Sequence, residues 1–216
     1  MSLREHSIAM AIRVSEALFA LFPQLRFEPT AKRVRARFNG TPVADSRQAV
    51  IVWEPQRVTP VFAVPEADIL GVLTPVEAAE AQQFPAAAAS GAPPVLDPRT
   101  GFRQHTAAGT ELSLGLVSAA DTPGLEGAAF RLADPALEGY IALDFRPFSW
   151  LEDDQATIGH PRDPFHRIDI RTSTAHRRIQ LGNTVLADTR DALLLYETSL
   201  PVRTYIPRGG VRTDIL

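Results

Sequence analysis

The sequence contains no cysteine among its 216 residues. This absence excludes disulfide bonds, thiolate zinc sites and cysteine nucleophiles together. It is typical of proteins in a reducing compartment, and we expect a cytoplasmic protein. Long apolar runs are missing too, since no uninterrupted stretch approaches the roughly 20 residues that a membrane-spanning helix needs. Arg13 and Glu16 interrupt the apolar N-terminal stretch, which is therefore a poor signal peptide.

An excess of basic charge is also absent. The formal net charge is −3, so nothing in the bulk electrostatics favours nucleic acid or an anionic membrane as a partner, and we expect neither. No segment has the βαβ alternation, the glycine-rich phosphate loop or the Gly-x-Ser-x-Gly elbow of common cofactor and hydrolase sites. The sequence therefore predicts no cofactor, and it leaves open whether the protein is an enzyme.

Short runs of alternating apolar residues make up most of the chain. The exception is residues 2–22, which have the three-to-four spacing of an amphipathic helix that Pro23 ends. Beyond it the pattern is typical of short strands bounded by turn residues. A stretch rich in Ala, Glu, Gln and Pro, 73–94, predicts a surface insertion with a helical piece over 75–83. The predicted fold class is therefore mainly β, with antiparallel sheets and an N-terminal helix.

An internal repeat divides the chain. Residues 33–54 align without a gap on residues 176–197, and the hairpin turn signal Asn39-Gly40 falls on Gly182-Asn183. This regularity predicts two copies of one β-unit. Identical residues occupy the aligned pairs Arg35/Arg178, Thr41/Thr184, Ala44/Ala187, Asp45/Asp188, Arg47/Arg190, Ala49/Ala192 and Glu54/Glu197.

The repeat predicts three regions. We expect an N-terminal helix and lead-in over 1–27, a complete first copy over 28–150, and a linker with a partial second copy over 151–216. The second copy contains only the first three strands of the unit. Three strands leave an unpaired edge, and such edges favour partners. A homodimer formed through the incomplete second copy is therefore one expected assembly.

The repeated motif also resembles a known family. It consists of Ala-Asp-(Ser/Thr)-Arg, an aliphatic run, Trp-Glu or Tyr-Glu, and then an aromatic residue before (Val/Ile)-Pro. This pattern resembles the domain-of-unknown-function 427 family, and the junction HPRDPFHR resembles that of its bacterial tandem members. The resemblance implies a β-tent-like arrangement of antiparallel sheets and no settled activity. One departure is that VLDPRTGFRQHT stands where family members carry a Cys-Pro-Tyr-Lys-Gly-like segment.

Two carboxylates end matching aliphatic strands of the two copies, at Glu54 and Glu197. Period-two alternation places each on an apolar face, which is costly unless the charge is paired. Arg57 and Arg203 follow closely and are the expected partners. One hypothesis makes each carboxylate a pocket group with a tuned pKa that acts as a base or binds a cationic ligand. The alternative is a structural Glu–Arg pair that closes the hairpin.

The junction HPRDPFHRID carries the densest run of polar groups. Its prolines force extended or turn geometry on the residues before them, so the charged side chains project from a short, stiff span. Two hypotheses remain open, a grip on an anion or phosphate by arginines and a clasp that joins the two copies. The histidines match no established spacing of metal ligands, so no metal is predicted. The candidate residues are His160, Arg162, Asp163, His166 and Arg167.

Aromatic residues accompany the two strand ends and belong either to a pocket or to a core. The preferred hypothesis is a small-ligand-binding β-domain. The second is an enzyme acting on a phosphorylated or nucleotide-like substrate, and the third is a structural module completed by dimerisation. His105 and Asp97 have no predicted partner and receive no role. The candidate ligand-binding residues are Trp53, Glu54, Tyr196, Glu197, Arg203 and Tyr205.

Overall fold

The computed structural model describes residues 11–76, 98–116, 124–198 and 200–215. It is mainly β, with 48% strand and 9% helix, which confirms the predicted fold class. The chain divides into two compact units, the first ending at Asp163 and the second beginning at Pro164. The domain limits predicted from the repeat, and the β-tent form of the sheets, stay predictions.

The N-terminal helix, α1, spans Val14–Ala20 and is shorter than predicted. Arg13 caps it with an extended backbone, at φ −78° and ψ 118°, and residues 11–13 are not helical. The prediction of a helix through these three residues is therefore wrong, while residues 2–10 lie outside the described part. The helix stops before Pro23, as the sequence predicts.

The first unit contains short antiparallel strands. Among the described residues they form a seven-stranded sheet in the order β1-β4-β5-β9-β8-β7-β6 and a four-stranded sheet in the order β11-β10-β2-β3. The strands are β1 Arg26–Pro29, β2 Val34–Phe38, β3 Thr41–Ser46, β4 Val50–Trp53, β5 Val61–Pro65, β6 Gly71–Pro75, β7 Gly109–Leu116, β8 Leu125–Leu132, β9 Tyr140–Leu143, β10 Ser149–Glu152 and β11 Gln155–Thr157.

Strand β6 corrects the predicted insertion. Residues 71–75 pair antiparallel with β7, with Leu73 opposite Leu114, so the surface insertion does not begin at residue 73. Pro75 stands at the end of an edge strand, where a missing backbone N–H costs little. The helical piece predicted over 75–83 lies outside the described residues except for its first two positions.

Alternation along β4 separates two cores. Ile51 and Trp53 face a large core that also receives side chains of the four-stranded sheet, such as Val34. Val50 and Val52 face a second core on the opposite side of the seven-stranded sheet. This division follows from the two-residue period of a strand, and it decides which surface each candidate residue reaches.

The second unit repeats the start of the first. Among its described residues, β12, β15 and β16 form one sheet in that order and β13 and β14 form another. The strands are β12 Ile168–Ser173, β13 Arg177–Leu181, β14 Thr184–Thr189, β15 Ala192–Glu197 and β16 Arg203–Tyr205.

Strand registers agree between the two units. Arg26 lies opposite Trp53, and the residues 143 positions later, Asp169 and Tyr196, are paired in the same way. The hairpin β2–β3 has an irregularity after Ala36, and β13–β14 has one after Ile179. The backbone pairing of the repeated segments is therefore the same in both units.

A cross-strand contact to an aspartate occurs in both units, with a different partner side chain in each. Arg33 Nε donates to Asp45 in the first unit over 2.7 Å, and the Arg33 hydrogen bond lowers the pKa of Asp45. At the matching positions, His176 Nε2 contacts Asp188 over 2.8 Å. Both pairs join the same strand ends, so the position keeps a nitrogen partner for the aspartate while the side chain that supplies it changes.

We expect Phe62→Ala to destabilise the first unit by about 3–5 kcal/mol, because its removal leaves a cavity. Phe62 is 1% exposed and contacts Trp150, with ring centroids 5.2 Å apart. Urea unfolding followed by tryptophan fluorescence measures the change. The matched control is Phe27→Ala, at a 41% exposed position, which should cost less than about 1 kcal/mol. Equal losses in both variants would contradict the assigned core.

Candidate functional site

Glu54 lies at the end of β4 and is almost completely buried, with 4% exposure. Alternation turns its side chain away from the Trp53 side and towards the face that carries Val52. Trp53 itself belongs to the large core. The two neighbouring candidates therefore lie on opposite faces of the sheet and do not line one surface.

The Glu54 carboxylate has partners on both oxygens. Oε1 lies 2.9 Å from His105 Nδ1, and because a carboxylate only accepts, Nδ1 carries the proton. Oε2 accepts from the backbone N–H of Thr106 over 2.6 Å and of Ala107 over 3.0 Å. Burial opposes the charged carboxylate, but the hydrogen bond and charge of His105, together with the two amides, outweigh it and lower the pKa of Glu54.

His105 is held between aromatic rings. It stacks on Phe130 with centroids 3.5 Å apart and planes 9° apart, and it meets Phe102 edge-on at 4.9 Å. Its Nε2 atom is buried and has no hydrogen-bond partner among the residues that the structure describes. The imidazole thus joins the second core to Glu54 through Nδ1, and Nε2 meets no polar partner in the described part of the chain.

Arg57 completes the attachment of residues 98–108, here called the connector. Its guanidinium donates to the carbonyl oxygens of Thr100 at 3.4 Å, Gly101 at 3.0 Å and Gln104. Burial lowers the pKa of Arg57, and the nearby charge of Glu54 opposes that shift. Glu54 and Arg57 are therefore not a simple pair that closes a hairpin; each binds the connector.

His105 is the residue that sequence reasoning missed. It received no role because no partner could be predicted for it. Its partner Glu54 is 51 positions away, and the connector departs from the pattern of the family that the chain resembles. The only available clue was a lone histidine in that departing segment, which does not identify a partner.

Glu197 occupies the matching position in the second unit with a different set of partners. His166 Nε2 lies 3.1 Å from Oε1, and an Arg203 guanidinium nitrogen lies 3.7 Å from Oε2. The side chain of Glu197 is 17% exposed, and those of His166 and Arg203 are 38% and 57% exposed. This carboxylate is therefore paired and only partly accessible to solvent.

The apolar face around Glu197 is also open. Cross-strand pairing places Ile170 beside Leu195, and Leu193 beside Tyr205, so these side chains share the face of Glu197 and Arg203. Ile170 and Tyr205 are 55% and 50% exposed. We call this surface, formed by Ile170, Leu193, Leu195, Glu197, Arg203 and Tyr205, the open face. Tyr196 points to the opposite side of the sheet.

The junction residues divide between the two units. His160, Arg162 and Asp163 belong to the first, and His166 and Arg167 to the second. His160 Nδ1 lies 2.7 Å from the carbonyl oxygen of Pro161, and the Arg162 backbone N–H donates to Glu152 over 3.4 Å. Burial lowers the pKa of Arg26, and the negative charge of Asp163 partly opposes that shift.

Arg167 is anchored through its backbone. Its N–H donates to the Thr198 hydroxyl over 2.9 Å, and its guanidinium lies 3.8 Å from Asp169. Across the described residues, no group of three or more His, Cys, Asp or Glu side chains is placed to hold a metal ion. The anion-grip and clasp hypotheses for the junction stay predictions.

Two concave sites of the first unit lie away from both carboxylates. One, of about 330 Å³, is lined by residues that include Phe27, Arg47 and Leu137. The other, of about 360 Å³, is lined by residues that include Arg103, Glu126 and Arg146. Neither is lined by Glu54 or Glu197, so neither corresponds to the predicted pocket.

These features define a class of mainly β proteins in which one antiparallel unit recurs with the same register. The chain belongs to the family described as Domain of unknown function (DUF427), which matches residues 26–85 and 169–216. The matches begin at Arg26 and Asp169, which occupy equivalent positions in paired strands of the two units, opposite Trp53 and Tyr196. No curated protein and no solved structure matches the chain. Among the described residues, no helix is long and apolar enough to cross a membrane.

We expect Glu54→Ala to destabilise the first unit by about 3–5 kcal/mol, because His105 and two backbone amides lose a buried acceptor. Urea unfolding at neutral pH measures the loss. Glu138→Ala is the control, since Glu138 is an exposed carboxylate, and it should change stability by less than about 0.5 kcal/mol. A neutral result for Glu54→Ala would show that the connector does not depend on this carboxylate.

The lowered pKa of Glu54 also predicts a pH dependence. The unfolded chain titrates this carboxyl near its ordinary value of 4.5, above the folded value, so the unfolded state binds the proton first as pH falls. The stability due to Glu54 is therefore complete above that value and is lost as pH decreases through the folded pKa. The difference in unfolding free energy between the native chain and Glu54→Gln should shrink below pH 4.5. A constant difference would contradict the lowered pKa.

Proposed function

We propose that the protein is a small-ligand-binding β-protein and that its ligand site is the open face of the second unit. The observation that carries this proposal is the contrast between two equivalent carboxylates. Glu54 is covered by its own chain and receives three close donors. Glu197 has one hydrogen-bonded histidine, a more distant arginine and solvent access.

The charge and shape of the open face suggest the kind of ligand. A carboxylate offers about four acceptor positions, and His166 uses one of those of Glu197. A planar cation or amide with several N–H groups would complete this set. An apolar or aromatic part of the same ligand would lie against Leu193 and Tyr205, which remove it from water.

Glu54 serves a different purpose in this proposal. Its oxygens are occupied by the connector, and the surrounding face is filled by the second core. We therefore assign Glu54 a structural role. Glu54 nevertheless supports the proposal. Its contacts indicate which donors, a ring N–H and backbone N–H groups, suit a carboxylate at this strand end.

The enzyme hypothesis lacks a comparable observation. It required the side chains of Arg162 and Arg167 to hold an anion, but the Arg167 guanidinium lies 3.8 Å from Asp169. We make no proposal for a phosphorylated or nucleotide-like substrate.

Benzamidine is a suitable probe, because its cation presents paired N–H donors on an apolar ring. We expect it to shift the backbone amide NMR signals of residues 166, 193–197 and 203–205. Glu197→Gln should weaken this binding on the order of tenfold, since the charge-assisted hydrogen bonds are lost. Glu138→Gln, the exposed control, should bind as the native chain does. Unchanged binding in Glu197→Gln, or shifts confined to the first unit, would refute the assigned site.

A further inference from the structure

The edge of the second unit's sheet differs from its counterpart in the first. In the first unit β5 has two neighbours, because β4 pairs with one side and β9 with the other. Its counterpart β16 pairs with β15 only, within the described residues. All three residues of β16 are exposed. One side of this strand thus presents backbone groups that no other described strand pairs with.

The equivalence of β5 and β16 is close enough to use as a template. Ile51 lies opposite Phe62 on β5, and the corresponding Leu194 lies opposite Thr204 on β16. The 3-10 turns that follow each strand also correspond, at Glu66–Asp68 and Arg208–Gly210. Two of the positions that pair with β9 in the first unit, the counterparts Thr204 and Tyr205, therefore already lie in a strand of the same register.

Prolines do not block such an addition. Pro201 and Pro207 flank β16, and prolines near an edge strand commonly prevent pairing with other chains. In the first unit, however, Pro65 corresponds to Pro207 and lies opposite Tyr140 of β9. A proline at this position is thus compatible with a paired neighbour.

We propose that β16 accepts an antiparallel strand from a separate polypeptide, in the register that β9 has on β5. The template specifies the chemistry of that strand. Phe62 lies opposite Leu143 and Ala63 opposite Ala142. The incoming strand therefore carries a large aliphatic residue opposite Thr204 and a small residue opposite Tyr205. The small residue is needed because Tyr205 is bulky where the first unit has alanine.

A second copy of this chain fits these requirements less well. If two β16 strands paired antiparallel about Thr204, that residue would lie opposite itself and Arg203 opposite Tyr205. In the second copy, Thr204 would then stand where β9 has the aliphatic Leu143. Arg203, a long cation, would stand where β9 has the small Ala142. A different polypeptide with the apolar pattern of β9 is the better occupant, and it makes strand addition the mode of recognition.

The chain itself supplies the probe. A capped synthetic peptide of residues 138–145, Glu-Gly-Tyr-Ile-Ala-Leu-Asp-Phe, contains β9. We expect its addition to the 216-residue chain to shift the amide signals of residues 203–206 and to slow their hydrogen exchange. The matched Ala142→Pro peptide should bind on the order of tenfold more weakly, because proline has no backbone N–H to donate to a neighbouring strand.

Three outcomes would overturn the proposal. Equal binding of both peptides would exclude strand pairing, and shifts at residues 61–65 would show exchange with the native β9. A dimer by light scattering without peptide, with amides 203–206 already protected, would make a second copy the occupant. The experiment is also independent of the proposed ligand site. Glu197→Gln should still bind the peptide, because strand addition uses the backbone of β16 and not that carboxylate.

Discussion

The carboxylate of Glu54 is the interaction on which the first unit depends. A buried charge is tolerated only when its desolvation is offset by donors, and here those donors come from His105 and two amides of the connector. Satisfying the charge therefore requires the connector to lie over the sheet. That position in turn buries Phe102 with the second core. One electrostatic requirement thus links a strand end, a loop and a hydrophobic layer.

The same requirement explains how the second unit differs. Glu197 stands at the equivalent strand end, but its histidine precedes the first strand of its unit, whereas His105 lies between β6 and β7. His166 satisfies one oxygen without covering the sheet. The neighbouring apolar side chains remain exposed, and the strand at the edge has no second neighbour in the described part of the chain. A carboxylate partner supplied locally therefore leaves the apolar face around Glu197 exposed.

Several features could be predicted because they depend on local or periodic patterns. Alternation and turn residues indicated the strands, and the resemblance of the repeated motif indicated the family, which the match over both segments confirms. Other features depend on contacts that no periodicity records. The helix was predicted too long because Arg13 has an extended backbone. Strand β6 was assigned to an insertion because its identity as a strand depends on β7, a distant partner.

The sequence by itself determined the mainly β class, the aligned carboxylates of Glu54 and Glu197, and the apolar faces on which alternation places them. Only the tertiary structure decided what each carboxylate meets. Alternation specifies the side of a strand but not the segment that covers it, since that segment is chosen by packing between residues far apart in the chain. His105 reaches Glu54 from 51 positions away, and this contact separates a closed site from an open one.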